Sequence, residues 1–347
     1  MKKLFKLAAG TIALSLGVGS TALAANIDGP DVFWKISMWG KPRALSAGME
    51  ALAKKAAEET GGKFKIKIFY GGQLSKSKEN LDGLKLNAFE GAAFCNFYHP
   101  GKNPAFMVFS LPFLPLGDPR VDKYVRTKMF SHPAMIADMD KWNAMPYVSG
   151  LLPQYELVGK GKPPQTLADW KGMRVRAGGG LGEAMKKLGA VKTTLPAGET
   201  STAFQRGALD AVAFPYTYAH VSFKTAEVAD WYTSNMAPGT SECSWVFNKK
   251  AYNALPKQYQ DFLMGMRDEV MDLEQAAYAA QDKINLPKFE KTMKKIVYDE
   301  ATLKAFREVA GKPVWDEWIV ANKDKFDSQG VFDAIFDYAK EAEAKFK

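Results

Sequence analysis

Between residues 63 and 70 the chain alternates with a period of two. Phe64, Ile66, Ile68 and Tyr70 fall on one side, and Lys63, Lys65 and Lys67 on the other. That pattern predicts a strand with one wet face. Before it, Leu45, Met49, Leu52, Ala53 and Ala56 recur at helical spacing. Pro42 marks a favoured first helical position and Gly61-Gly62 a stop. Asp31–Met38 reads as a strand entering that helix, Ser77–Leu86 as a second helix and Ala92–Phe97 as a short apolar strand, with Phe109–Phe113 closing the unit. The order β-α-β-α-β predicts parallel pairing with helices packed on the sheet.

The pattern resumes at Met173. A strand over Met173–Arg176 runs through a glycine-rich turn into a helix over Leu181–Leu188. A helix around Ser201–Gly207 then precedes a strand over Ala211–Phe214. Cys243–Asn248 is another strand. From Pro256, Tyr259, Phe262, Leu263, Met266, Val270, Leu273 and Ala277 keep one helical face apolar, with no proline before Pro287. A helix of that length can cross between two lobes. Trp315, Trp318, Phe332 and Phe336 mark the apolar sides of shorter terminal helices. Two α/β lobes are the predicted architecture, and 347 residues suit two cores better than one.

The first 24 residues carry a different pattern. Lys2, Lys3 and Lys6 precede an apolar run from Leu7 to Val18, and Ala22-Leu23-Ala24 is a small-x-small site. These are the three parts of a secretory signal, with cleavage after Ala24. The run is too short for a membrane anchor, which needs about 20 apolar residues. Without those three lysines the net charge falls from +9 to +6, spread along the chain, so bulk charge does not point to nucleic acid. Cys95 and Cys243 then face an oxidising compartment as either one disulfide or two thiols. With only His99, His132 and His220 to join them, and no ligand spacing, no metal site is expected.

Candidate chemistry is sparse. Ala177-Gly178-Gly179-Gly180-Leu181-Gly182 fails the dinucleotide fingerprint, because the third glycine would fall at Glu183. Ser75-Lys76-Ser77-Lys78 matches Ser-x-x-Lys without its partner motifs. No catalytic constellation emerges, so no enzyme and no cofactor are expected. Arg174-Val175-Arg176 ends a strand just before a helix, where open α/β sheets bind ligands. A guanidinium there matches a carboxylate bidentately, whereas a solvated arginine would sit in a surface ion pair.

Four segments resemble one family, the periplasmic solute-binding component of tripartite ATP-independent periplasmic (TRAP) transporters, DctP type. They are Gly62–Leu74, Leu111-Pro112-Phe113, Asp169–Arg176 and Ala203–Asp210, in the family's order and spacing. The resemblance implies an α/β fold of the type II periplasmic-binding-protein kind, with a central ligand cleft, crossing strands and a long inter-lobe helix. Its boundaries would be residues 25–153 plus 242–281 for lobe I, and 154–241 plus 282–347 for lobe II. It implies capture of a small organic anion in the periplasm and delivery to an ion-gradient-driven membrane permease. A sensor subunit or an enzyme on the same fold are the alternatives.

By the same resemblance, Arg176 holds the solute carboxylate and Arg174 does not. The second arginine that many members carry before the Lys-Gly pair is absent from Pro153-Gln154-Tyr155-Glu156. Trp39, Tyr155 and Phe214 are expected as aromatic walls, with Asn96, Cys95 and Gln154 as further candidates and Cys243 a weaker one. The implied solute is a monocarboxylate with an apolar or aromatic body, an aromatic or 2-oxo acid. Because the family does not generally need a disulfide, separate thiols are the favoured reading of Cys95 and Cys243, with a bridge as the alternative.

Overall fold

The structure, a computed structural model, describes residues 26–346. The expected signal segment, with its cleavage site after Ala24, lies outside the described residues. The strands are β1 (Val32–Ser37), β2 (Phe64–Phe69), β3 (Gly91–Cys95), β4 (Ala144–Ser149), β5 (Tyr155–Gly159), β6 (Arg174–Arg176), β7 (Val191–Thr193), β8 (Ala211–Pro215), β9 (Trp231–Thr233), β10 (Cys243–Asn248) and β11 (Lys294–Ile296). They build two sheets, in the orders β2-β1-β3-β10-β4 and β11-β9-β5-β8-β6-β7. The alternating segment pairs as expected: β1 lies parallel to β2 and to β3. The late strand β10 inserts antiparallel between β3 and β4.

The chain passes between the sheets twice, after β4 and before β10, and the two crossings bind each other. Tyr155 N–H donates to the Gly239 carbonyl at 2.8 Å, and Thr240 Oγ1 donates to the Leu152 carbonyl at 2.9 Å. A third link is the helix Arg267–Thr292, preceded by Lys257–Gly265. Tyr147 Oη donates to the Leu263 carbonyl of the shorter helix, and the long helix is tied to the first sheet and crossing by Arg267 Nε donating to the Tyr147 carbonyl and Tyr278 Oη to the Gly150 carbonyl. The helix runs through Pro287 instead of ending before it.

Two starts differ from the sequence pattern. Pro42 is exposed in a loop, and the helix Ala47–Glu59 begins after a short turn at Ala44–Ser46. Ser46 dictates this: its Oγ accepts the Arg43 N–H at 3.0 Å and donates to the Arg43 carbonyl at 2.8 Å. The terminal helix Ser328–Phe346 packs on Pro119–Met129, so Val331, Ile335 and Ala339 share a core with Val121, Val125 and Met129. These residues thus lie against the first sheet's core, although the sequence boundary placed 282–347 with the second lobe. An amphipathic stripe specifies burial but not which core receives it.

Cys95 and Cys243 face each other across β3 and β10 and form a disulfide, which corrects the expectation of separate thiols. The physical reason is register. Placing β10 beside β3 makes the two cysteines direct cross-strand neighbours, a proximity that 148 residues of separation conceals in the sequence. Protein unfolded without reductant should therefore take up no alkylating reagent in intact-mass analysis. Reduction should cost about 2–4 kcal/mol of stability, read from the denaturant midpoint. Two adducts without reductant would mean that the bridge does not form.

Candidate functional site

Arg176 ends β6, flanked by Val212 of β8 and Thr193 of β7. It is 1% exposed. Its Nε and Nη2 donate to the Leu195 carbonyl at 3.0 and 2.8 Å, and its Nη1 to the Ala213 carbonyl at 2.9 Å. A guanidinium has five N–H groups, so donors remain. Among the described residues no carboxylate lies within ion-pair distance of it. Glu156, on β5 with β8 between it and β6, is engaged elsewhere: it accepts from Thr233 Oγ1 at 2.5 Å and from the Ala237 N–H at 2.9 Å, and burial pushes its pKa up to about 7.

Two other arginines show what the fold does when it pairs one. Arg174, two residues earlier, grips Asp210 with Nε at 2.9 Å and Nη2 at 2.6 Å on the open surface. Arg126 is as buried as Arg176, but it contacts both Asp122, at 2.6 Å, and Glu242. Burying a charge without such partners is costly. Arg176 is buried with carbonyl dipoles, aromatic faces and the Tyr98 phenol around it, and no carboxylate.

Those faces form a closed circuit. The Arg176 guanidinium carbon lies 4.5 Å from the Phe214 ring centre and 5.4 Å from that of Phe97. Phe214 leads to Phe223 at 5.4 Å, Phe223 to Trp39 at 6.4 Å, Trp39 to Tyr98 at 5.4 Å, and Tyr98 to Phe97 at 4.5 Å. Trp39, Phe97 and Tyr98 belong to the first sheet's side, Phe214 and Phe223 to the second's. Between Trp39 and Phe223 lies a second guanidinium. Arg43 sits 4.4 Å over Trp39 and 5.3 Å from Phe223, and its Nη1 donates to the carbonyls of Trp39 and Lys41, each at 3.0 Å. Tyr98 lies between the two cations. Burial raises its phenol pKa, Arg176 and Arg43 both oppose that shift, and its Oη accepts the Ala197 N–H at 2.9 Å across the lobes.

The sequence candidates separate into two groups. Arg176, Phe214 and Trp39 belong to the circuit. Tyr155 is buried beside it: burial raises its phenol pKa and Arg176 opposes. The others point elsewhere. Asn96 Nδ2 donates to the Phe106 carbonyl at 2.8 Å, and its Oδ1 accepts from Phe97 N–H and Ser241 Oγ, each at 2.7 Å. It fixes the turn that aims Phe97 and Tyr98. The sulfurs of Cys95 and Cys243 are occupied by the disulfide. Gln154 donates to the Leu116 carbonyl at 3.1 Å and lines a separate cavity of about 260 Å³ with Leu151, Gln275 and Tyr278. Arg43, Tyr98 and Phe223 escaped the sequence reading. Arg43 in Lys41-Pro42-Arg43 has the look of a solvated loop, and only the Ser46 turn brings it inward.

The glycine run has a role unrelated to nucleotides. A Cβ on Gly178 would lie 2.3 Å from the Phe97 ring, and one on Gly180 would lie 2.6 Å from the Ser110 carbonyl oxygen. Gly180 N–H donates to Ser110 Oγ at 3.1 Å. Here the second lobe's backbone docks directly on the first.

The family model for bacterial extracellular solute-binding protein, family 7 (DctP), matches residues 38–322. A monocarboxylate 2-oxoacid-binding periplasmic protein from a Nostoc species is 26% identical over 319 residues, covering 86% of each chain. The TRAP periplasmic solute-binding protein of Desulfovibrio salexigens with bound orotic acid superposes with a TM-score of 0.80 at 23% identity, over 89% of this chain and 99% of that one. A marine metagenome TRAP protein specific for aromatic acid ligands, solved with 3-hydroxybenzoate, gives 0.79 at 18% identity, over 90% and 99%.

The docking contact is testable by itself. Gly178→Ala should drive Phe97 off its position and lower stability by about 1–3 kcal/mol, as overpacking does, visible in thermal melting. An unchanged melting temperature would mean that Phe97 yields without cost.

Proposed function

This chain belongs to the DctP family of bacterial extracellular solute-binding proteins, and we propose that its solute is a small carboxylate with a flat apolar or aromatic body, held by Arg176. It is a solute-binding protein of the TRAP type, with the two-lobed α/β fold of periplasmic binding proteins, and the family is one of binders and not of enzymes. No helix among the described residues is long and apolar enough to cross a membrane. We place the protein in the periplasm, where its relatives are, delivering solute to a membrane permease.

One observation carries the reading: Arg176 is fully buried between aromatic faces without the carboxylates that Arg126, equally buried, has. A solute carboxylate supplies the missing charge. Phe214, Phe97, Trp39 and Tyr98 wall the body of the solute, and Tyr155 borders the same space. Closure of the lobes, through Gly178 on Phe97 and Tyr98 on Ala197, excludes water. The named ligands of the relatives, 2-oxo acids, orotate and hydroxybenzoate, are acids of this kind.

Two measurements check it. Replacing Arg176 by Met should cost about 2–5 kcal/mol of affinity in calorimetry, because the solute carboxylate is then buried alone. Arg174→Ala should cost under about 1 kcal/mol, since its partner Asp210 remains solvated. Comparable losses at both positions would refute the assignment. In competitive titration an arylcarboxylate such as benzoate should displace succinate, as aromatic packing adds about 0.5–1.5 kcal/mol beyond area burial. A win for succinate would place the working pocket on polar residues elsewhere.

A further inference from the structure

Cys95 and Cys243 are the last paired residues of the β3–β10 ladder, whose other end is Gly91 opposite Phe247. Past this pair, β3 turns at once into Asn96–Tyr98. On the partner side, Cys243 follows directly on Gly239–Glu242, the crossing that holds the Tyr155 N–H and the Leu152 carbonyl. The disulfide therefore joins the segment that tethers the lobes to the turn that carries Phe97 and Tyr98.

Hydrogen bonds repeat the connection. Asn96 N–H donates to the Glu242 carbonyl at 2.9 Å, and Ser241 Oγ to Asn96 Oδ1 at 2.7 Å. Asn103 Nδ2 holds the Asn96 carbonyl at 3.0 Å. Glu242 is a fixed base for all this: its carboxylate accepts from Ser149 Oγ at 2.9 Å and Ser244 Oγ at 2.8 Å, and it contacts Arg126. The side chains of the turn reach the other way. Phe97 packs on the bare backbone of Gly178 and lies beside the Arg176 guanidinium, and Tyr98 accepts the Ala197 N–H. The end of a ladder is where strands open most readily, and here that end carries two walls of the cleft. Rings held in place before the solute arrives need no ordering when it binds, so affinity depends on what holds them.

Resting on the reading that the solute lies between Arg176 and these rings, we propose that the Cys95–Cys243 bridge is a positioning element of the binding site and that its redox state sets solute affinity. The oxidised protein keeps Phe97 and Tyr98 aligned and binds tightly. A dithiol reductant breaks the S–S bond, supplies two electrons and two protons, leaves two protein thiols and itself closes to a cyclic disulfide. The reduced protein stays folded, because the loss of one bridge is small against the stability of a domain of this size. Its turn is held by hydrogen bonds alone, and it binds weakly. The coupling is reciprocal, so the solute favours the bridge by the same factor. A bridge that served stability alone would move the unfolding midpoint and leave the dissociation constant unchanged.

Calorimetric titration of benzoate and phenylpyruvate into the oxidised protein, and into the same protein reduced with dithiothreitol, tests this. The better acid should bind the reduced protein about tenfold more weakly, and reoxidation should restore its affinity. A variant with Cys95→Ala and Cys243→Ala should bind like the reduced protein and not respond to dithiol. A second measurement needs no variant. In dithiothreitol redox buffers, saturating acid should raise the ratio of oxidised to reduced protein about tenfold, a fall of about 30 mV in potential. Near-ultraviolet circular dichroism should show the reduced protein still folded. The proposal is overturned if the acid binds both redox states equally, if saturating acid leaves the ratio unchanged, or if reduction unfolds the chain. Failure of the oxidised protein to bind either acid would instead overturn the Arg176 reading and this one with it.

Discussion

A guanidinium enclosed by protein must find negative charge, and in this molecule that requirement is met at one arginine and left open at another. Arg126 sits in the first core with Asp122 and Glu242 against it. Arg176 has carbonyl oxygens and the faces of Phe214 and Phe97. Carbonyl dipoles orient a cation but do not neutralise it. The surroundings of Arg176 fit that constraint: rings packed around it, a Glu156 two strands away bound to Thr233 and Ala237, and a His220 kept neutral by burial, its pKa pushed down to about 3.

The two sheets can enclose such a site because the chain crosses between them more than once. Gly239, Thr240, Leu152 and Tyr155 lock the crossing segments together, and the long helix spans the same gap. The lobes are thus tethered at one edge and meet at the other through contacts that require bare backbone. Gly178 and Gly180 give up side chains so that Phe97 and Ser110 can approach. A run that looks like a phosphate cradle in sequence is a docking face in three dimensions.

Local pattern was enough for much of the fold. Period-two alternation located β2, the apolar run at 243–248 coincides with β10, and the long apolar stripe gave the inter-lobe helix. What stayed hidden were facts of pairing. No local signal says that β10 lies beside β3, so the disulfide was not legible, and no stripe says which core takes Ser328–Phe346. Of the aromatic circuit, Arg176, Phe214 and Trp39 were legible because they lie at or just past strand ends, which local pattern can locate. Arg43 was not, since its inward course depends on the Ser46 turn. A buried amide such as Asn96 must find partners, and the sequence could not tell that they are main-chain groups of its own lobe and Ser241.

The position of β10 has a consequence for synthesis. The first sheet holds β1, β2, β3 and β4 from the beginning of the chain, yet its interior position between β3 and β4 stays vacant until residues 243–248 emerge. By then five strands of the second sheet, β5 to β9, have already left the ribosome. The first-made half therefore cannot finish folding first. Its late closure is a pairing of high contact order, which slows folding relative to local pairing. The unfilled slot between β3 and β4 exposes two strand edges to mispairing in the meantime.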